Sequence, residues 1–371
     1  MQLTIKKDVL LSVVKTTQKA VPGKSSLQIL ECMLLEASDS GQELTLTGNN
    51  LEIAIQCKAA AVVEDNGSTL VNARLFCELV EKLPEEDILF RQDGNRLIIK
   101  SGASEFCISA MPADAYPRPE MAEPQNTIEL DSLKDLVLRT TFAAGIDDTN
   151  PVLNGIFLSM EKGNLIAAGC DGRRFALATA VVENTGAFKA IIPAKTLGEL
   201  ARLIGPKEKI NVSFSGATVL FTKPGFVFSC RTIEGEDVAI EKLVQQVDRK
   251  QEIRIKNTID LTSALERVIL VSTQSNSPME FIVTSGKLAL KAEAELGRVY
   301  ETITVETGEG TETSFWYNPR YLLDAARAVK GEAVIYISPK GMLLVTAENF
   351  NFITAPVAKA KSGTATEKAA A

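Results

Sequence analysis

The chain has 371 residues, 45% of them hydrophobic and 23% charged, with a formal net charge of −7. That length exceeds one ordinary core and suits about three domains of roughly 120 residues each. The acidic balance speaks against a protein that coats nucleic acid generally, but leaves room for basic residues gathered on one surface.

Residues 1–7 read as a strand leading into a charged turn, without the apolar core of a secretory signal. A helix is predicted over 8–20, followed by strands near 32–36, 44–47 and 51–57. The strand signal is the period-two alternation of Leu44-Thr45-Leu46-Thr47 and Leu51-Glu52-Ile53-Ala54-Ile55. A second helix is predicted near 74–83, then strands near 88–92, 96–100 and 105–109, with turns at Asp93-Gly94-Asn95 and Ser101-Gly102. Two helices on a large antiparallel sheet make an α+β layer architecture. Pro and acidic residues then collect at 111–119 and again at 234–237, which read as linkers. The last residues offer nothing to bury and read as a disordered tail.

This order recurs. Val71-Asn72-Ala73-Arg74, Ile192-Pro193-Ala194-Lys195 and Tyr317-Asn318-Pro319-Arg320 each open an amphipathic stretch, at offsets of 121 and 125 residues. Leu44-Thr45-Leu46-Thr47-Gly48 is matched by Leu165-Ile166-Ala167-Ala168-Gly169 and, more loosely, by Leu288-Ala289-Leu290-Lys291-Ala292. Val13 to Thr17 is matched by Val137 to Thr141 and loosely by Val268 to Ser272. Three phrases in one order in each third imply three copies of one domain. The expected domains are 1–125, 126–248 and 249–358, with a tail over 359–371.

The second helix of each copy carries Arg74/Glu78/Glu81, Lys195/Glu199/Arg202 or Arg320/Asp324/Arg327, spaced i, i+4 and i+7. That spacing puts each set on one face, with apolar residues opposite. The bland reading is a solvated face with local ion pairs worth a few tenths of a kcal/mol. Repetition favours a shared basic surface instead, of the kind that meets phosphates without reading bases.

Other chemistry is thinly represented. There is no His, which removes the commonest general base and metal ligand. The six cysteines show no CxxC spacing and lie mostly in apolar runs, as small hydrophobes do. No phosphate-binding glycine motif occurs. Asp171-Gly172-Arg173-Arg174 could be a carboxylate beside arginines, but reads better as a hairpin turn, and Glu234-Gly235-Glu236-Asp237 as a solvated linker. No apolar run approaches the 18 or so residues that span a membrane, so a cytoplasmic, non-enzymatic protein with no cofactor and no metal is expected.

The three repeats, Asn150-Pro151-Val152-Leu153-Asn154-Gly155, Asp171-Gly172-Arg173-Arg174, Asn318-Pro319-Arg320-Tyr321-Leu322 and Pro356 together resemble the bacterial DNA polymerase sliding clamps, the beta subunits of DNA polymerase III. The resemblance implies three tandem clamp domains closing as a head-to-tail dimeric ring around duplex DNA. It implies a processivity factor that tethers the polymerase III alpha subunit and other clamp-binding-motif proteins, opened by a clamp loader. It also implies a partner-peptide cleft at Leu153, Gly172, Arg174, Phe175, Leu243, Asn318, Tyr321, Met342, Ile353, Pro356 and Val357. The ring contact would pair Phe106 and Ile108 with Leu270 and Val271, and DNA would meet Lys24, Arg74, Lys195 and Arg320. Cys170, Arg173, Ala355 and Ala358 depart from the family's usual residues, and the Asp237-Val238-Ala239-Ile240 linker lacks its usual phrase. Those departures motivate an alternative, a diverged paralogue serving repair factors or resisting an inhibitor.

Overall fold

The computed structural model describes residues 1–358 except 85, 120–126, 147–149, 184–185, 237–243, 246, 250, 273–277, 295–296, 309–311 and 330. Leu243, the 237–240 linker and the 359–371 tail therefore lie outside the described residues.

Each third of the chain repeats helix, strands, helix, strands. The first has β1 (Gln2–Lys6), α1 (Lys7–Thr17), β2 (Cys32–Ser38), β3 (Glu43–Asn49), β4 (Ile53–Ala60), β5 (Val62–Asp65) and β6 (Gly67–Asn72). It continues with α2 (Ala73–Lys82), β7 (Asp87–Asp93), β8 (Arg96–Ser101) and β9 (Ser104–Met111). The second has β10 (Ile128–Leu130), α3 (Leu133–Thr140), β11 (Gly155–Glu161), β12 (Asn164–Cys170), β13 (Arg174–Val181) and β14 (Phe188–Pro193). Then come α4 (Ala194–Leu203), β15 (Ile210–Ser215), β16 (Thr218–Lys223) and β17 (Phe226–Arg231). The third has β18 (Glu252–Ile255), α5 (Thr258–Val271), β19 (Met279–Thr284), β20 (Lys287–Ala294), β21 (Gly297–Thr304), β22 (Glu306–Thr307) and β23 (Thr313–Tyr317). It ends with α6 (Pro319–Ala328), β24 (Ala333–Ile337), β25 (Leu343–Ala347) and β26 (Phe350–Thr354).

The repeated phrase is a strand-to-helix junction. The Asn72 side chain caps α2 by accepting from the Leu75 amide at 3.0 Å, and Asn318 caps α6 by accepting from the Arg320 amide at 3.0 Å. Such caps satisfy amide groups that have no partner within the helix. Pro193 ends β14 directly before α4. Two predicted boundaries move for local reasons. The helix expected over 8–20 ends at Thr17 and tightens into a 3-10 turn, Gln18–Ala20. The strand expected from Leu51 starts at Ile53, because Leu51 adopts a left-handed φ of 74° in the turn before it.

The chain divides into two units, 1–134 with 195–234 and 135–194 with 235–371. The first contains one thirteen-stranded sheet in the order β10-β15-β16-β17-β4-β3-β2-β6-β9-β8-β7-β1-β5. The second contains a nine-stranded sheet, β14-β11-β12-β13-β26-β25-β24-β18-β22, and a four-stranded sheet, β21-β20-β19-β23. The middle third thus contributes strands to each unit. Its joints are antiparallel ladders, β17 on β4 from Phe226↔Cys57 to Cys230↔Ile53, and β13 on β26 from Arg174↔Thr354 to Ala178↔Phe350.

In the first unit Leu10, Val14, Phe76 and Val80 turn from α1 and α2 into a core with Leu3, Leu35, Leu46, Phe90 and Ile99, all fully buried. Phe76 and Phe90 meet with ring centroids 5.9 Å apart. Burying each such side chain contributes about 1.5–3 kcal/mol, so this face holds the helices on the sheet.

Candidate functional site

A hollow in the second unit forms where β13 pairs with β26. Gly172, Arg174, Phe175, Met342 and Ile353 line it together with Cys170, Arg173, Val247, Asp248, Ala355 and the turn Ser338–Lys340, around a volume of about 570 Å³. The Asp171-Gly172-Arg173 segment is the hairpin between β12 and β13 that the composition suggests. The Asp171 carboxylate accepts from the amides of Arg173 and Arg174, both at 2.9 Å, and Gly172 takes a φ of 83° that favours glycine. Phe175 and Ile353 form a buried floor, and Met342 stands half-exposed at the wall.

Arg174 is the organising cation. Its Nε donates to Asp171 at 3.0 Å and its Nη1 to Asp324 of α6 at 2.7 Å. Its guanidinium stacks 4.3 Å from the Tyr321 ring centroid and 5.7 Å from that of Phe142. Only an arginine can give planar stacking and two carboxylate bonds at once. The chain past β26 follows the same turn, with the Ala355 amide donating to the Arg173 carbonyl at 3.2 Å and the Val357 amide to the Trp316 carbonyl at 2.8 Å. An apolar floor with a few polar anchors and backbone groups suits capture of a peptide.

Of the expected cleft residues, the hollow brings together Gly172, Arg174, Phe175, Met342 and Ile353, and Tyr321 joins them through Arg174. Leu153, Asn318, Pro356 and Val357 are not among its lining residues; Asn318 is buried as the α6 cap, and Leu153 is half-buried beside Gly145. Val247, Asp248 and Ser338–Lys340 line the hollow but were not expected from the sequence. The sole signal for the last three was a Pro and a Gly at 339 and 341, typical of a turn.

Lys24, Arg74, Lys195 and Arg320 are all exposed. Arg74 pairs with Glu78 at 3.0 Å, whereas Lys24, Lys195 and Arg320 make no ion pair with any described residue. Glu81 pairs with Lys15 at 2.7 Å, and Arg327 with Glu266 at 2.8 Å. The Lys15 hydrogen bond holds the Glu81 carboxyl below its usual range. The local acids thus neutralise part of each helix face and leave the first basic residue of α4 and α6 available.

Phe106 lies 44% exposed on β9, and Leu270 lies 74% exposed at the end of α5, with Val271 half-buried beside it. Ile108, on the same β9 face as Phe106, is instead part of the first unit's core. Among the described residues β9 is paired to β6 only at Ala110 and Met111, so Ser104 to Ser109 keep one open edge. Among the described residues β21 is paired to β20 alone and also presents an open edge.

Three family models match in order. They are the N-terminal domain of the DNA polymerase III beta subunit over residues 1–121, its central domain over 127–236 and its C-terminal domain over 247–355. The Beta sliding clamp of Bacillus subtilis strain 168 is 30% identical over 353 residues, covering 90% of this chain and 92% of that protein. The crystal structure of the Bacillus subtilis DNA polymerase sliding clamp superposes with a TM-score of 0.90 at 27% identity, covering 97% of this chain and 99% of that one. A DNA polymerase III beta subunit structure from Eubacterium rectale does so with a TM-score of 0.90 at 26% identity, covering 96% and 99%. With all three domain models matched in sequence order and a relative of 30% identity along nearly the whole length, the chain belongs to the DNA polymerase III beta subunit family.

Proposed function

We propose that this protein is a replicative processivity factor, a non-enzymatic sliding clamp that closes head to tail with a second copy around duplex DNA. The observation that carries this reading is the pair of open strand edges, each beside an exposed apolar side chain. One copy offers β9 with Phe106, and another would offer β21 with Leu270 on α5, a helix tied to β21 by the Arg267–Glu301 ion pair. Edge strands are left open only where something covers them or blunts them. A heterologous contact of this kind makes a ring when its rotation closes. The repeats then become three clamp domains per chain, at 1–125, 126–248 and 249–358.

In that ring Lys24, Arg74, Lys195 and Arg320 meet DNA phosphates, which is a sequence-independent contact. The cleft around Arg174 takes a short motif from the polymerase III alpha subunit, from the clamp loader and from other partners. Leu153, Asn318, Pro356 and Val357 support that cleft from its margins, with Leu243 beyond the described residues. Tethering is topological, so the protein needs no bond chemistry of its own. Its place is the cytoplasm, where bacterial DNA is replicated. No observation favours a paralogue dedicated to repair or inhibitor resistance.

Single-particle imaging of the purified protein, with its mass in solution, tests the reading. A closed two-chain ring with a central hole is the expected result. A monomer without a hole, at concentrations where relatives assemble, would sink it.

A further inference from the structure

The internal repeat places a second hollow at the joint of β17 with β4, in the first unit, and its lining corresponds position by position to the cleft at β13 and β26. Asn49, Leu51, Glu52, Ile53 and Ala54 line it, which are the positions of Cys170, Gly172, Arg173, Arg174 and Phe175 shifted by 121 residues. Across the joint, Thr218, Ser229 and Arg231 stand where Met342, Ile353 and Ala355 stand, shifted by 124.

The backbone bonding is copied too. Asn50 accepts from the amides of Glu52 and Ile53 at 3.0 and 2.8 Å, as Asp171 does from those of Arg173 and Arg174. The Arg231 amide donates to the Glu52 carbonyl at 3.3 Å, as Ala355 does to Arg173. Leu51 even keeps the left-handed backbone that Gly172 takes freely, with a φ of 74°. A non-glycine residue held there is uncommon and marks a turn shape imposed by its surroundings.

What differs is the chemistry. The volume is about 290 Å³, half that of the larger cleft. Phe175, Met342 and Ile353 are replaced by Ala54, Thr218 and Ser229, so the apolar floor is small. Two arginines, Arg118 and Arg231, and one carboxylate, Glu52, are among the lining residues. Arg118 pairs with Glu36 at 3.0 Å, while Arg231 is exposed and makes no ion pair with any described residue. The turn is tied to the Pro117-Arg118-Pro119 segment by the Asn49 side chain, which donates to the Pro117 carbonyl at 2.8 Å.

We propose that this hollow is a second peptide-docking site, one that takes an acidic segment of a partner protein through Arg231 and Arg118 while the larger cleft takes an apolar one. The peptide class of the ligand rests on reading the larger cleft as a peptide site; the acidic preference rests on the two guanidiniums, since arginine binds carboxylates in a two-pronged, charge-assisted manner. Two unlike sites on one chain would let a partner with both segments dwell longer than either segment alone allows.

The test is calorimetric titration of the full chain with an eight-residue peptide of alternating leucine and glutamate, capped at both ends. Two peptides per chain are expected at low salt. Arg231→Glu weakens one of them roughly tenfold or more, and Thr218→Trp, which fills the hollow without altering charge, removes the same one. Met342→Glu removes the other. If Met342→Glu changes nothing while Arg231→Glu and Thr218→Trp each remove a peptide, the second site stands and the cleft reading fails. One peptide per chain that neither Arg231→Glu nor Thr218→Trp affects overturns the second site alone; no binding at all overturns both.

Discussion

A Cβ built on Gly48 would stand 2.6 Å from the Thr17 carbonyl oxygen, where α1 ends against β3. The same contact recurs one repeat later, where a Cβ on Gly169 would stand 2.5 Å from the Thr140 carbonyl oxygen at the end of α3. Backbone cannot step aside as a flexible side chain can. We expect Gly48→Ala and Gly169→Ala each to destabilise the fold by about 1–3 kcal/mol through overpacking. The third copy carries a buried Ala292 at the matching position. Urea midpoints of the two alanine variants check this, and unchanged midpoints would mean that the helix ends can retreat without cost.

Arg174 bonds two carboxylates and stacks on two rings, with its side chain only 13% exposed. Arg174→Lys keeps the charge but loses the planar stack and one of the two bonds. Stability should fall by about 1–3 kcal/mol, the usual cost of leaving a partly buried carboxylate without its partner. Peptide capture in the cleft should weaken as well. Thermal melts and fluorescence anisotropy with a clamp-binding peptide measure the two effects separately.

Glu208 gives a dependence on pH. The Gly205 amide donates to its carboxylate at 2.6 Å, and Lys223 donates at 2.7 Å. The backbone bond first, and the lysine second, hold the Glu208 carboxyl below its ordinary value of 4.5. Its contribution is therefore complete above the unfolded value and is lost as pH falls through 4.5 towards the lower folded value. Glu208→Gln should be less stable than wild type at pH 7, with the gap closing in acid. Denaturant curves at pH 7 and pH 3 test it, and a gap that widens in acid would reverse the assignment.

The ring reading predicts the effect of charge on its contact. Leu270→Glu with Val271→Glu should give monomers at concentrations where wild type is a dimer, as should Phe106→Glu. Each puts a carboxylate where an apolar surface would be buried, and an unpaired buried charge costs several kcal/mol. Because Phe106 and Leu270 are exposed in the single chain, Phe106→Glu and Leu270→Glu alone should keep its fold, and the single Leu270→Glu is the control for the half-buried Val271. Sedimentation velocity gives the mass and circular dichroism the fold.

On DNA, Lys24→Ala, Lys195→Ala and Arg320→Ala should each weaken affinity for duplexes of any sequence, and each should lower the salt slope by about one. Arg74→Ala should do less, because Glu78 already holds its guanidinium. Affinity for a linear duplex, measured from low to moderate salt, reads both quantities. A sequence-dependent loss would contradict phosphate contact.

Periodicity and repetition in the chain were enough to reveal the repeated domain. The alternation in β3 and the apolar stripe of α2 are local patterns, and the phrase ending in Arg74, Lys195 or Arg320 marks a strand passing into a helix three times over, with an asparagine cap in the first and third copies. Repetition amplified each of these signals, since a pattern weak in one copy is corroborated by the others. The clamp residues came from family resemblance, and the structure gathers five of them around one hollow.

Tertiary structure alone decided how the copies share strands. Nothing local to β4 or β13 says that each will pair with a strand from the following repeat, because ladder bonds join backbones and are indifferent to distance along the chain. That pairing creates both hollows and draws Ser338–Lys340 and Val247 into the larger one. The sequence by itself determined the repeating unit and its polar faces, because those depend on residues a few positions apart. The sites formed where one repeat meets the next, because they depend on contacts more than 150 residues apart, such as Phe175 with Ile353.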